Sequence, residues 1–190
     1  MTMSTYKSLA GPPAGLLVTT DAGLAERVDA IAFPGLTANF DAANTAALAV
    51  TLTDWSAFGA TYARDMVGAA RRLADELTSL DVPVHRTLDG TATVSHAFAL
   101  RTAVGGGHAA AQHLRRANLL TSAIGLPDDA AAGVRVGTNE AVRWGMGADH
   151  MPELADLFAR AWRAADDATA LASEATAFRR RFTDIHYCAR

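Results

Sequence analysis

The chain has 190 residues, half of them hydrophobic, and a formal net charge of -3. So small a charge gives no reason to expect contact with nucleic acid or an anionic membrane, and no apolar run approaches the roughly 18–20 residues of a membrane span. The amino terminus lacks a basic region followed by an apolar stretch, so no secretory signal is visible, and the single cysteine, Cys188, cannot pair within the chain; both fit a reducing cytoplasm.

Many of the hydrophobic residues are alanines, which leaves apolar volume for one good core or one and a half domains. Met1 to Leu9 is short, β-prone and followed at once by the turn signal Gly11-Pro12-Pro13. Gly15 to Thr19 reads as a short buried strand, and Asp21 can cap a helix running to about Ile31, which Phe33-Pro34-Gly35 breaks. Asp41 or Asn44 opens a long helix to about Leu80, with Phe58, Tyr62, Met66, Leu73 and Leu77 at core spacing and Arg64, Asp65, Arg71, Arg72, Asp75 and Glu76 solvated.

After Asp81 the texture changes. Val82 to His85 and Val94 to Leu100 read as strands, and Gly105-Gly106-Gly107 turns into a helix from His108 to about Arg116. Leu119-Leu120 and Val134 to Thr138 are read as further short strands. Asp149 or His150 caps a helix carrying Leu154, Leu157, Phe158 and Trp162, and a last alanine-rich helix holds Phe178 and ends near Arg179-Arg180-Arg181. Alternating strands and helices predict a small α/β layer domain, with a boundary inside the long helix near residues 55–60.

Four segments carry more specific information. They are Ser4-Thr5-Tyr6-Lys7-Ser8-Leu9-Ala10-Gly11-Pro12, Ile31-Ala32-Phe33-Pro34-Gly35, Ala117-Asn118-Leu119-Leu120 before Gly125-Leu126-Pro127, and Gly133-Val134-Arg135-Val136-Gly137-Thr138 followed by Arg143-Trp144-Gly145-Met146. In order and spacing they resemble the carboxy-terminal half of the serine hydroxymethyltransferase family. The resemblance implies the fold type I, aspartate-aminotransferase-like α/β architecture. Residues 1–57 would be the carboxy-terminal part of the cofactor-binding large domain, and residues 58–190 a connecting helix and small α/β domain.

It also implies pyridoxal phosphate, held as a Schiff base by Lys7, the chain's only lysine. Arg135 would clamp the substrate carboxylate, since a guanidinium does this with two parallel hydrogen bonds; Arg143 is an understudy. Ser4, Thr5 and the loop residues Gly35, Ala38 and Asn39 would line the cofactor. Ala38 and Asn39 replace two family glycines, so phosphate binding there requires a backbone that suits other residues. Gly105-Gly106-Gly107 also looks like a phosphate loop but reads better as a strand-to-helix turn. Tyr6 stands where folate-dependent members have histidine, and Ile124 where they have an asparagine for the pterin; the resemblance is therefore to the folate-independent branch of L-threonine transaldolases and related natural-product aldolases. Tyr6 would assist proton transfer or stack near the cofactor, against simple packing as the equal alternative. The histidines form no metal site: His108 and His113, five apart, do not share a helix face, and His85 and His96 have no partner at ligand spacing.

The expectation is a lysine-bearing subunit of a split aldolase. A second polypeptide resembling the amino-terminal half would bind it, as a heterodimer doubled by a twofold axis. The substrates would be a β-hydroxy-α-amino acid, cleaved by a retro-aldol step, and an aldehyde that can add in its place. The rivals are an α-methylserine or serine hydroxymethyltransferase subunit and a non-catalytic scaffold of a pyridoxal phosphate enzyme.

Overall fold

The structure is a computed structural model that describes residues 1–103, 106–127, 129–164 and 166–189, without the side chains of 129–131. It divides into two units, Met1–Gly59 with Cys188 onward, and Ala60–Tyr187.

In the first unit, β1 (Thr2–Ser4) pairs antiparallel with β2 (Gly15–Leu17), Met3 opposite Leu16. Helix α1 (Ala22–Ala30) starts where Asp21 accepts the Leu24 amide at 2.8 Å, as expected of an aspartate N-cap. An irregular turn, Ile31–Leu36, follows and contains the cis Phe33–Pro34 peptide. Asp41 then caps α2 (Ala42–Ser79) through the Asn44 amide at 2.9 Å. Among the described residues of this unit no apolar side chain is buried, whereas Leu36 and Phe40 are 79% and 78% exposed.

The second unit holds the core. Its sheet has the order β3 (Ala97–Arg101), β5 (Asp129–Gly137), β4 (Ser122–Leu126), all antiparallel. Phe98 and Leu100 pair with Val136 and Val134, so these four apolar side chains share one face and are buried. Helix α3 (Gly107–Arg116) lies on the sheet, followed by α4 (Asn139–Arg143), a helical turn Ala148–His150, α5 (Met151–Trp162) and α6 (Ala168–Arg179). From α2 come Tyr62, Met66, Leu73 and Leu77, spaced to lie on one helix face and all buried. The Thr138 hydroxyl, also buried, lies 2.8 Å from the Met66 carbonyl and 3.0 Å from that of His96, tying the end of β5 to α2 and to the residue before β3.

Four sequence expectations are corrected. Phe58 is not a core residue but is 37% exposed. Val82–His85 does not form a strand; it contributes one bridge, Val84 to Leu100. Val94 stands exposed outside β3. Leu119-Leu120 is no strand either: Asn118, at φ 59°, ends α3 in the left-handed conformation and binds the Thr176 hydroxyl at 3.0 Å, leaving Leu120 exposed and the strand to begin at Ser122. Gly105 of the triple glycine lies outside the described residues. Among the described residues no helix is long and apolar enough to cross a membrane.

Candidate active site

Ser4, Thr5, Tyr6 and Lys7 sit where β1 runs into a tight loop. Thr5 is buried and its hydroxyl is spent inside that loop: it lies 2.5 Å from the Pro12 carbonyl and 2.8 Å from that of Ala14, and accepts the Ala14 amide at 3.0 Å. The Gly11 amide closes the loop on the Thr5 carbonyl at 2.8 Å, and the Ala10 amide bonds the Lys7 carbonyl at 2.9 Å with Ala10 held at φ 58°. A non-glycine residue there costs about 1–2 kcal/mol, so this loop conformation is imposed by its surroundings. A Cβ on Gly11 would stand 3.1 Å from the Thr5 carbonyl and 3.4 Å from the Thr51 methyl of α2, so glycine eases the close approach of the loop to the helix. The Trp55 indole N–H donates to the Leu9 carbonyl at 2.8 Å and fastens the loop to α2. Tyr6 and Lys7 are exposed on this anchored loop, and Ser4 is half-buried.

The loop Pro34–Asn39 lies in the same unit, with Gly35, Ala38 and Asn39 exposed. The Thr37 amide and hydroxyl both reach the Ala32 carbonyl at 2.8 Å and hold the turn. Neither Ala38 nor Asn39 has positive φ, so replacing glycine there introduces no backbone strain.

Arg135 belongs to the second unit. It is central in β5, opposite Ala99 on one side and Ser122 on the other, and points away from the apolar face that carries Val134 and Val136. Arg135 is exposed, and the register puts Ala97, Ala99, Ser122, Gly133 and Gly137 around it on that face. Burial first, and the charge of Arg135 second, push the His96 imidazole below its usual range, which keeps that ring neutral beside the guanidinium near pH 7. Arg143 is half-buried on α4. Ile124 shares the Arg135 face through its pairing with Gly133. His108 pairs with Gln112 at 3.0 Å and His113 with the Ala161 carbonyl at 2.8 Å.

The first unit presents an exposed primary amine on a fastened loop and an unstrained exposed loop, and the second an exposed guanidinium. Each taken by itself suits pyridoxal phosphate chemistry: an amine suits its aldehyde, and a guanidinium suits the carboxylate of an amino acid. Sequence reasoning missed Trp55, whose partner is a backbone carbonyl without a sequence signature. The one available signal was Gly59 four residues later, on the same helix face.

The chain is 45% identical over 98% of its length to an alpha-methylserine aldolase from Ralstonia sp., and 49% identical over its whole length to one from Variovorax paradoxus. It is 36% identical over 99% of its length to a serine hydroxymethyltransferase from Cenarchaeum symbiosum. The chain is a carboxy-terminal half of the serine hydroxymethyltransferase-like family. It spans 44% of the length of each of these relatives. The solved L-threonine transaldolase from Pseudomonas fluorescens matches 98% of this chain and 44% of that one with a TM-score of 0.89 at 20% identity, which establishes the fold type I architecture. No protein-family model matches the chain.

Proposed function

We propose that this chain supplies the reactive lysine and the carboxylate-binding arginine of a folate-independent pyridoxal phosphate aldolase that cleaves β-hydroxy-α-amino acids. The observation that carries the reading is Lys7, the chain's only lysine, exposed on a loop tied down through Thr5, Gly11 and Trp55. Pyridoxal phosphate, when bound, supplies an aldehyde that condenses with amines and a conjugated ring that takes up the electron pair left at Cα. Lys7 Nζ would hold the cofactor and, when not bonded to it, would be free to carry a proton. Arg135 would grip the α-carboxylate with two N–H groups and so orient the substrate. The backbone amides of Gly35, Ala38 and Asn39 would serve the phosphate, Ser4 and Thr5 would line the cofactor, and Tyr6, next to Lys7 in the chain, would assist proton transfer or stack.

Among substrates, α-methylserine is favoured over L-threonine because the relatives at 45–49% identity carry that activity in their names. The step balances without a further reactant: the β-hydroxyl loses its proton, the Cα–Cβ bond breaks, formaldehyde leaves, and a proton returns to Cα to give alanine. Addition of another aldehyde in place of that proton would make the reaction a transaldolation.

The rest of the large domain has to be supplied by a further segment. We take it to be a second polypeptide resembling the amino-terminal half, in an assembly of two copies of each. Two observations support the need for it: the match covers 44% of each relative, and the first unit buries no apolar side chain of its own. The test combines this chain with an amino-terminal half, adds pyridoxal phosphate and borohydride, and maps the modified residue by mass spectrometry. The expected result is one adduct, on Lys7, with formaldehyde released from α-methylserine by the unreduced enzyme. Lys7→Ala should keep the assembly, lose the adduct and lower turnover by more than about 10³-fold. An adduct elsewhere, or turnover that survives Lys7→Ala, makes this chain a scaffold; an active protein whose two halves prove to be one polypeptide removes the second-subunit reading and leaves the chemistry.

A further inference from the structure

We propose that Trp55 is a positioning residue for the Lys7 amine. This rests on the assignment of Lys7 above. The loop that carries Lys7 is closed at its base by Thr5 and Gly11, but those bonds lie within the loop itself and do not set its place on the helix. The tie from its distal side to α2 is the indole N–H of Trp55, 2.8 Å from the carbonyl of Leu9, two residues past Lys7. The indole is itself held. A Cβ built on Gly59, one helical turn on, would stand 2.4 Å from Trp55 Cε3 and 3.2 Å from Cδ2, so the ring lies flat against a helix surface that has no side chain there. Glycine inside a helix costs roughly 1 kcal/mol relative to alanine. Here it leaves the space that sets the direction of the indole N–H. The chain of control runs from Gly59 through the Trp55 ring to the Leu9 carbonyl, and from there to the amine. A reacting group displaced by about 1 Å can lose on the order of 10²-fold in rate.

The test uses the fully assembled enzyme, apo, with pyridoxal phosphate added, and follows the cofactor absorbance by stopped flow. Trp55→Phe keeps a ring and removes the donor. Gly59→Ala keeps the donor and pushes the ring. Each should slow condensation at Lys7 by about 5- to 10-fold, the size of one lost hydrogen bond, with melting temperature retained and the final adduct still on Lys7. Turnover per bound cofactor should fall by a similar factor while KM for the amino acid, set by Arg135, stays within about twofold. In the Trp55→Phe background Gly59→Ala should have no further effect, because both act on one contact. The inference is overturned by an unchanged condensation rate in Trp55→Phe, by a Gly59→Ala effect that persists in that background, or by slowing that merely tracks a lost folded fraction. If the wild type forms no adduct on Lys7, both this proposal and the functional reading fall; if it does and Trp55→Phe behaves as wild type, only this one does.

Discussion

The two units solve different problems. In Ala60–Tyr187 a three-stranded sheet is covered on one face by helices, and Leu73, Leu77, Leu100, Leu114, Val134 and Met151 are essentially inaccessible. In Met1–Gly59 Val18, Ile31, Phe33, Leu36, Phe40 and Val50 are all exposed, and the two buried side chains are polar, Thr5 and Asp54. Thr5 secures the lysine loop and Asp54 accepts the Ala189 amide at 2.8 Å. One unit is therefore held by apolar burial of its own, and the other by hydrogen bonds around a presented amine. The difference is that the apolar side chains of the first unit stand exposed in this chain, whereas those of the second are packed against one another.

The sharpest way to break this contrast is to damage each unit in its own terms. Leu73→Ala should destabilise the second unit by about 2–5 kcal/mol, read as a large fall in melting temperature, because Leu73 is 1% exposed and a cavity would remain. Phe40→Ser should change the melting of this chain by within about 0.5 kcal/mol, since Phe40 touches little. On the proposed function it should instead weaken association with an amino-terminal half several-fold, measured by titration of one half into the other. A Phe40→Ser variant that unfolds the chain but binds normally would erase the distinction between the two units.

Much of this organisation was legible in the sequence, for physical reasons that differ by element. Asp21 and Asp41 announced α1 and α2 because an aspartate before an apolar-periodic run satisfies amides that otherwise lack partners. The stripe from Tyr62 to Leu77 was readable because the second unit buries it, and Phe58 was misread because periodicity does not reveal where a helix leaves a core. β5 begins at Asp129, through the pairing of Leu126 with Asp129 and Gly125 with Ala132, a start not legible in the sequence because aspartate and the alanines that follow have little strand preference. In the site, Lys7 and Arg135 stood out through family resemblance. The Trp55–Leu9 bond and the internal use of the Thr5 hydroxyl did not, since each joins a side chain to a backbone carbonyl distant in sequence.

A smaller effect separates function from stability within the packed unit itself. Arg135 lies on β5 between core residues yet is exposed, so Arg135→Lys should leave the melting temperature unchanged. Lysine keeps the charge but cannot make two parallel bonds to a carboxylate, so on the proposed function KM for the amino acid should rise about 10- to 100-fold while kcat changes less. A KM rise matched by an equal fall in melting temperature would mean that Arg135 acts as a structural strand residue.

The smallest effect concerns the edge of the packed unit, where α2 meets α4 and the end of the chain. Tyr62 stacks on Tyr187 with ring centres 4.7 Å apart and donates to the Asn139 carbonyl at 2.9 Å, while Tyr187 donates to Asp65 at 2.7 Å. Burial, partly offset by the charge of Arg143, pushes the Tyr62 hydroxyl up from 10.0 to about 12, and burial with the Asp65 bond raises Tyr187 further. A raised value means that the unfolded chain releases its proton first. The stabilisation is complete below pH 10 and is lost as pH climbs from there through about 12. Tyr62→Phe should cost about 1 kcal/mol at neutral pH, the value of one hydrogen bond, and should make the alkaline decline shallower without abolishing it, because Tyr187 still titrates. Urea melts at pH 7, 10 and 11.5 would show it. An alkaline decline as steep in Tyr62→Phe as in the wild type would assign the whole effect to Tyr187 and leave Tyr62 as packing alone.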